Sequence, residues 1–271
     1  MNSMEHHELV EQNEAAAYRS LVAAAERTGQ QGFRSQHIGG ACALLAPSLP
    51  RMVLLNRVIG LGVSEPATED QVAELAQLYT ETNVAWGVES SPSARPETLP
   101  GWLKAKRLRK GPASAMFLRR CKAIPEAETD LQIRPWRPTD GDSGAMLAAE
   151  VFKVPQEVER ILAQLPRQPH WRQWLAFDGD TPVATSLLFI NGDVAWAGWA
   201  ATRPSYRGRG LHSALVAAWL RDAADHGCEW VTTDTAIGTP EKPDPSYRNH
   251  IRLGFQSVHV RHTHVAVPTR M

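Results

Sequence analysis

The stretch Tyr206-Arg207-Gly208-Arg209-Gly210-Leu211-His212-Ser213-Ala214-Leu215 decides the fold. It follows a run with strand character, Val194 to Thr202, and opens a run with helix character that ends near His226. Leu211, Ala214, Leu215, Ala218 and Trp219 recur at helical spacing, giving one apolar face that can lie on a sheet. Gly227 suits the position just past the helix. A glycine-rich turn at a helix N-terminus aims unpaired main-chain N–H groups and the positive end of the helix dipole at one point, which suits a phosphate. Gly208 and Gly210 admit close backbone approach to an anion, and Arg207 and Arg209 add positive charge. An ordinary surface turn has a similar composition, so the flanking order has to decide.

That order is Ala201-Thr202-Arg203-Pro204-Ser205-Tyr206, the turn, a strand from Trp230 to Thr235, then Ser246-Tyr247-Arg248-Asn249-His250-Ile251-Arg252-Leu253-Gly254-Phe255. With these residues the sequence resembles the GNAT superfamily of acetyl-CoA-dependent acyltransferases. The family's Arg/Gln-x-x-Gly-x-Gly/Ala pyrophosphate loop is similar to Arg207-x-x-Gly210, with His212 where a small residue is usual. The family's helix ending in Leu-Gly-Phe is similar to Leu253-Gly254-Phe255, and the likeness spans Leu131 to Val267.

A chain of 271 residues holds one large domain or two smaller ones. With 43% hydrophobic residues and nine Trp, it has ample material for a core. Lys+Arg and Asp+Glu balance at 29 each, so no global field draws nucleic acid or an anionic membrane, and neither is an expected partner. Cys42, Cys121 and Cys228 are scattered, as reduced thiols are. There is no bilayer-length apolar run and no signal-peptide pattern, which makes the cytoplasm the expected location. The expected assembly is a monomer or homodimer.

Along the chain, Glu5 to Arg27 reads as a helix with Leu9, Ala16 or Ala17, Leu21 and Val22 on one face. Phe33 to Ala46 and Met52 to Gly60 read as strands around the Pro47-to-Pro50 turn. Thr68 caps a helix to about Thr82, followed by strand Val84–Val88, helix Leu103–Leu108 and strand Ala115–Arg119. Polar, Pro-containing Ile124 to Asp130 reads as the inter-domain linker, dividing 1–127 from 128–271. The second half begins with strand Leu131–Trp136 and helices Asp142–Phe152 and Pro155–Leu165. Strands Trp171–Phe177, Val183–Ile190 and Val194–Thr202 follow, joined at Asp178-Gly179-Asp180 and Asn191-Gly192. A loop from Gly238 to Pro245 leads to the last helix, and Gln256–Val267 is the closing strand. Mostly antiparallel strands with inserted helices make the fold class α+β.

The halves repeat one order of elements, which points to two GNAT-like units with a degenerate first copy. The first copy's turn, Gly60 to Asp70, lacks the Arg and carries three carboxylates that would repel a pyrophosphate. Only residues 128–271 are therefore expected to bind the cofactor.

The resemblance implies transfer of an acetyl group from acetyl-CoA, as co-substrate, to the amine of a small-molecule acceptor. It places the pantetheine arm against the main chain of Ala200, Ala201 and Thr202. It places the pyrophosphate on the amides of Arg207, Gly208, Arg209, Gly210, Leu211, His212 and Ser213. His250 stands where many members carry a tyrosine that protonates the departing thiolate, and an imidazolium can do the same. Asn249 and Ser246 are candidates to face the cofactor. Asp234 is the candidate base, alternating with Thr233 and Thr235 along its strand. Trp196 and Trp199 are an odd number apart and so are expected on opposite faces. Trp171 and Trp174 are candidates to line the acceptor site. Metal binding is not expected: His262 and His264 are too few, His6-His7 reads as solvated surface, and the cysteines lack ligand spacing. A competing possibility is a catalytically silent acyl-CoA sensor or scaffold, because His212 departs from the loop pattern.

Overall fold

The computed structural model describes residues 3–239 and 241–267. The chain begins with α1 (Ser3–Ala24), β1 (Arg34–Ile38), β2 (Ala41–Leu45), β3 (Arg57–Ile59) and α2 (Glu69–Thr82). It continues with β4 (Trp86–Ser90), α3 (Leu99–Ala105), β5 (Arg109–Arg120), β6 (Gln132–Pro135), α4 (Ser143–Phe152) and α5 (Gln156–Gln164). The remainder is β7 (Trp171–Asp178), β8 (Thr181–Asn191), β9 (Val194–Thr202), α6 (Leu211–Asp225), β10 (Trp230–Ala236), α7 (Pro245–Arg252) and β11 (Gln256–Ala266). The class is α+β, a mixed sheet flanked by helices.

Two compact units emerge, and they interleave in sequence. Unit one takes in the described residues of 1–117, 234–247 and 257–271; unit two takes in 118–233 and 248–256. The sequence suggested a single cut near 127, whereas the last strand returns to the first unit.

In unit one the strands lie in the order β1, β2, β3, β4, β11, β5. The run 33–46 is a hairpin rather than one strand, because Gly39 and Gly40 turn the chain so that Ile38 pairs with Ala41. Val53–Leu55 forms a 3₁₀ turn, which shortens the next strand to three residues. Buried Asn56 holds that geometry: its Oδ1 accepts from Ala46 N at 2.8 Å, and its Nδ2 donates to Leu49 O at 2.9 Å. Thr68 and Gln71 form a reciprocal capping box at the start of α2, a device worth about 1 kcal/mol. Val72, Leu75 and Tyr79 then pack into the core with β2 and β4. Helix α3 starts four residues before the expected Leu103, and β5 runs to twelve residues where five were expected. The turn after β3 is filled by the chain itself. Arg95 N donates to Gly62 O and Ala67 N donates to Arg95 O, both at 2.8 Å, and a Cβ on Gly62 would meet Arg95 O at 2.5 Å.

The centre of unit one is ionic. Glu11, Glu14 and Tyr18 share one side of α1, Arg57 lies in β3 and Glu89 in β4, and His259, Arg261 and Thr263 alternate along β11. Arg261 Nη1 donates to Glu11 at 2.6 Å, Nη2 donates to Glu14, and Nε lies 3.3 Å from Glu89. Arg57 joins Glu14 at 2.8 Å and Glu89 at 2.6 Å, and His259 reaches Glu11 at 3.0 Å. The three glutamates and two arginines are at most 5% exposed. His7, expected on the surface, is half-buried with its ring 4.5 Å from that of His259, and burial pushes its pKa down. Burial pushes Glu14 up to about 7 against the pull of Arg261 and Arg57. Burial also raises Glu89, but Arg261 and Arg57 outweigh it and hold that carboxyl below its ordinary range.

Deep ion pairs recover their desolvation cost only while every partner is present. Replacing Arg261 by Met should destabilise the protein by about 3–5 kcal/mol in chemical denaturation. Glu14 binds a proton more tightly folded than unfolded, so its contribution is complete below its ordinary value and fades as pH rises through about 7. The urea midpoint should therefore fall between about pH 5 and about pH 8, and Glu14→Gln should flatten that slope.

Candidate functional site

Unit two orders its strands β10, β9, β8, β7, β6. β7, β8 and β9 form an antiparallel meander through the turns at Gly179-Asp180 and Gly192-Asp193, one residue later than expected at the second. Alternation divides the two faces. Gln173 lies against Gly144 of α4 and donates to Thr185 Oγ1 at 3.1 Å. Its neighbour Trp174 donates Nε1 to Asp222 of α6 at 2.7 Å. Leu211 and Leu215 pack on Ala176 and Ala184 on that same side. So α4 covers one face and α6 the other.

The parallel ladder of β9 and β10 has only three pairs, Val194–Trp196 against Trp230–Thr232. β9 runs on to Thr202, still paired to β8, and its opposite edge continues without β10. In this stretch the strand is bulged against β8: the register shifts between Thr185 and Leu187, and Trp199 adopts φ +53°. A bulge inserts a residue and re-aims the side chains around it. Ala200 is exposed between buried Trp199 and Ala201 as a result. The bulge also overturns the expected placement of the two tryptophans. The Trp196 ring lies over Gly198, where a Cβ would be 2.0 Å away, and Trp199 meets Phe152 of α4 edge-on at 5.6 Å. Both indoles therefore face α4.

Past β9 the chain makes the glycine turn. Gly208 and Gly210 sit at φ +83° and +76°, and Gly210 is the N-cap of α6. A Cβ on Gly210 would meet Glu128 O at 2.2 Å. Arg207, Gly208 and Gly210 are exposed beside the first turn of α6, whose leading amides have no partner within the helix. Arg209 turns away from the loop to Asp130, with Nε 3.3 Å from Oδ1, and stacks on Tyr206. Hydrogen bonding from Arg209 holds the Asp130 carboxyl below its usual range.

Helix α7 meets the same helix start. Arg252 Nη2 donates to Ser213 Oγ at 3.0 Å and to Asn249 Oδ1 at 3.2 Å, linking two predicted cofactor residues. Both partners are neutral. His250, 4% exposed, has the His212 ring at 5.3 Å and the Phe255 ring at 5.1 Å, both edge-on. Ala200, Ala201, Thr202, the segment 207–213, Asn249 and His250 thus belong to one unit. Asp234 and Ser246 belong to unit one. There half-buried Asp234 has its carboxyl pushed up by burial, with Arg261 and Arg57 opposing, and Asp244 Oδ1 accepts from Ser246 N at 2.7 Å.

Trp171 and Trp174 do not line an open surface: Trp171 is 1% exposed in the aromatic core, and Trp174 is bonded to α6. Phe152, 44% exposed at the end of α4, is the aromatic that reaches solvent beside β9. His262 and His264 share a face of β11, bonded to Gly111 O and the Ser90 hydroxyl. Among the described residues no group of three or more His, Cys, Asp or Glu is placed to hold a metal. No described helix is long and apolar enough to cross a membrane.

A parted parallel strand pair, a bulge beside the split and a glycine-capped helix start set this unit apart. Residues 143–241 match the Acetyltransferase (GNAT) family model. A search of curated proteins finds no match. Among solved structures, the chain is similar to a GCN5-related N-acetyltransferase from Kribbella flavida, with 18% identity and a TM-score of 0.62 over 90% of this chain and 95% of that one. It is similar to a tandem GNAT protein from the clavulanic acid biosynthesis pathway, with 15% identity and a TM-score of 0.60 over 93% of each chain. It is also similar to a functionally unknown conserved protein from Staphylococcus epidermidis, with 11% identity and a TM-score of 0.61 over 88% and 94%. At these identities the likeness is one of fold. The family match supports acyl transfer as the class of chemistry.

The loop geometry is testable by itself. Gly210→Ala combines a left-handed φ with a main-chain collision, and should cost at least about 1–2 kcal/mol in thermal or urea unfolding. Gly208→Ala, which meets no neighbour, should cost only the backbone share.

Proposed function

We propose that the chain is an N-acetyltransferase that moves the acetyl group of acetyl-CoA directly to the amine of a small-molecule acceptor. The observation that carries this is the exposed bulge at Ala200, on an edge of β9 that β10 has left. The main-chain groups of Ala200, Ala201 and Thr202 that point away from β8 suit an extended amide-bearing arm, which would continue the sheet. The amides from Arg207 to Ser213 suit the pyrophosphate, with Arg252 adding charge where Ser213 and Asn249 hold it.

In the transfer the neutral amine attacks the thioester carbonyl carbon to form the C–N bond, the nitrogen gives up a proton, the C–S bond breaks, and the thiolate takes up a proton. A main-chain N–H at the bulge is suited to meet the developing oxyanion without reorganisation. Within this proposal His250 returns the proton to sulfur. Unit two, built from 118–233 and 248–256, is the catalytic unit and unit one a degenerate copy. The filling of the 60–70 turn by Arg95 supports that division of labour, since the chain already occupies the place an anion would take.

The second possibility is a silent acyl-CoA sensor. It is favoured by the enclosure of His250 between two rings, which leaves it little room to act as an acid. Acetyl-CoA should raise the melting temperature, and an amine panel should then show thiol release. His250→Gln should keep the acetyl-CoA shift and lower kcat by about 10²–10⁴. Stabilisation without thiol release on any amine identifies the sensor. No stabilisation at all overturns both.

A further inference from the structure

We infer that the corner formed by Trp199 and Phe152 is the acceptor subsite, fitted to an amine carried on a flat apolar ring that bears a hydrogen-bond-accepting oxygen. This rests on the acyl-transfer proposal and goes on to name the acceptor's class.

Three independent observations meet there. Phe152 closes α4 with 44% of its surface exposed and meets Trp199 edge-on at 5.6 Å. An edge-on pair leaves ring surface on which a further aromatic group can stack. Trp199 itself holds φ +53° in the bulge adjoining Ala200, a strained conformation of the kind that clusters at functional sites. Its side chain is nine-tenths buried, yet the indole N–H has no protein acceptor among the described residues. Buried indole donors are ordinarily paired, so this one is left for a ligand oxygen.

The surroundings fix the corner. Arg203, just past β9, pairs with Glu150 at 3.1 Å and ties the last turn of α4 to the strand. Lys153 ends the helix in a left-handed conformation. α6, with the phosphate loop, covers the opposite face of the sheet, so the α4 face is the side left for a second substrate.

The test uses the full chain. Acetyl-CoA binding is first established by thermal shift, and thiol release is then measured with para-methoxyphenethylamine, phenethylamine, butylamine and spermidine. The expected order of kcat/KM is methoxyphenethylamine above phenethylamine above butylamine, by up to about tenfold per step, with spermidine lowest. Trp199→Phe should erase the methoxy advantage and keep the phenyl one. Phe152→Ala should erase the phenyl advantage. Both variants should retain the acetyl-CoA shift. With acetyl-CoA bound, four results overturn the inference and leave the acyl-transfer proposal standing: no discrimination among the amines, preference for spermidine, no turnover of the aromatic amines, or variants with unchanged ratios. Failure of the wild type to bind acetyl-CoA removes both.

Discussion

A strand in a sheet normally spends both edges on neighbours, and β9 spends only one beyond Trp196. Unpaired main-chain N–H and C=O groups in such a place either meet solvent or pair with something that brings matching groups. Everything distinctive in unit two is set around that edge. The bulge presents Ala200 on it, the glycine turn begins where the strand ends, and α7 brings Asn249 and Arg252 to the helix start that follows. Small residues, Ala200, Gly208 and Gly210, leave the backbone exposed along it.

Unit one uses similar strand and helix order for another end. Its turn after β3 is occupied by the Arg95 segment, and its interior holds two arginines among three glutamates and a histidine. Such a network is weak as a source of net stability compared with well-packed apolar groups, but it is demanding in geometry. It fixes β11 against α1, so the last strand of the chain is held by charges near the first helix. Burial and pairing oppose each other at Glu14 and Glu89. Both Glu14 and Glu89 accept from Arg57, but burial prevails at Glu14, while at Glu89, which also accepts from Thr263, the arginines prevail.

The glycine turn, the capped α2, the β7–β8–β9 meander and the apolar stripe of α6 were all legible in residue order. Each depends on contacts within a few positions: Thr68 with Gln71, Gly179-Asp180 between two strand runs, Leu211 with Leu215. Trp196 and Trp199 were misplaced by the same rule that worked elsewhere, because alternation holds only while the register is unbroken. Arg252 gave no signal beyond its place in a basic helix. Its partners are Asn249, in its own helix, and Ser213, which lies far away in sequence. The ionic centre left a faint trace, with His259, Arg261 and Thr263 alternating and Glu11 and Glu14 three apart. Burial of those groups depends on strands and a helix brought together from distant parts of the chain.

The sequence by itself determined the local geometry that a phosphate would need, since positive φ at Gly208 and Gly210 and the start of α6 follow from short-range sterics and capping. Tertiary structure alone decided which strand edge would be left open, which face each tryptophan would take and where β11 would insert. Those outcomes depend on pairings between residues far apart in the chain, and the free energy of such pairings is set by neighbours that local propensity does not register.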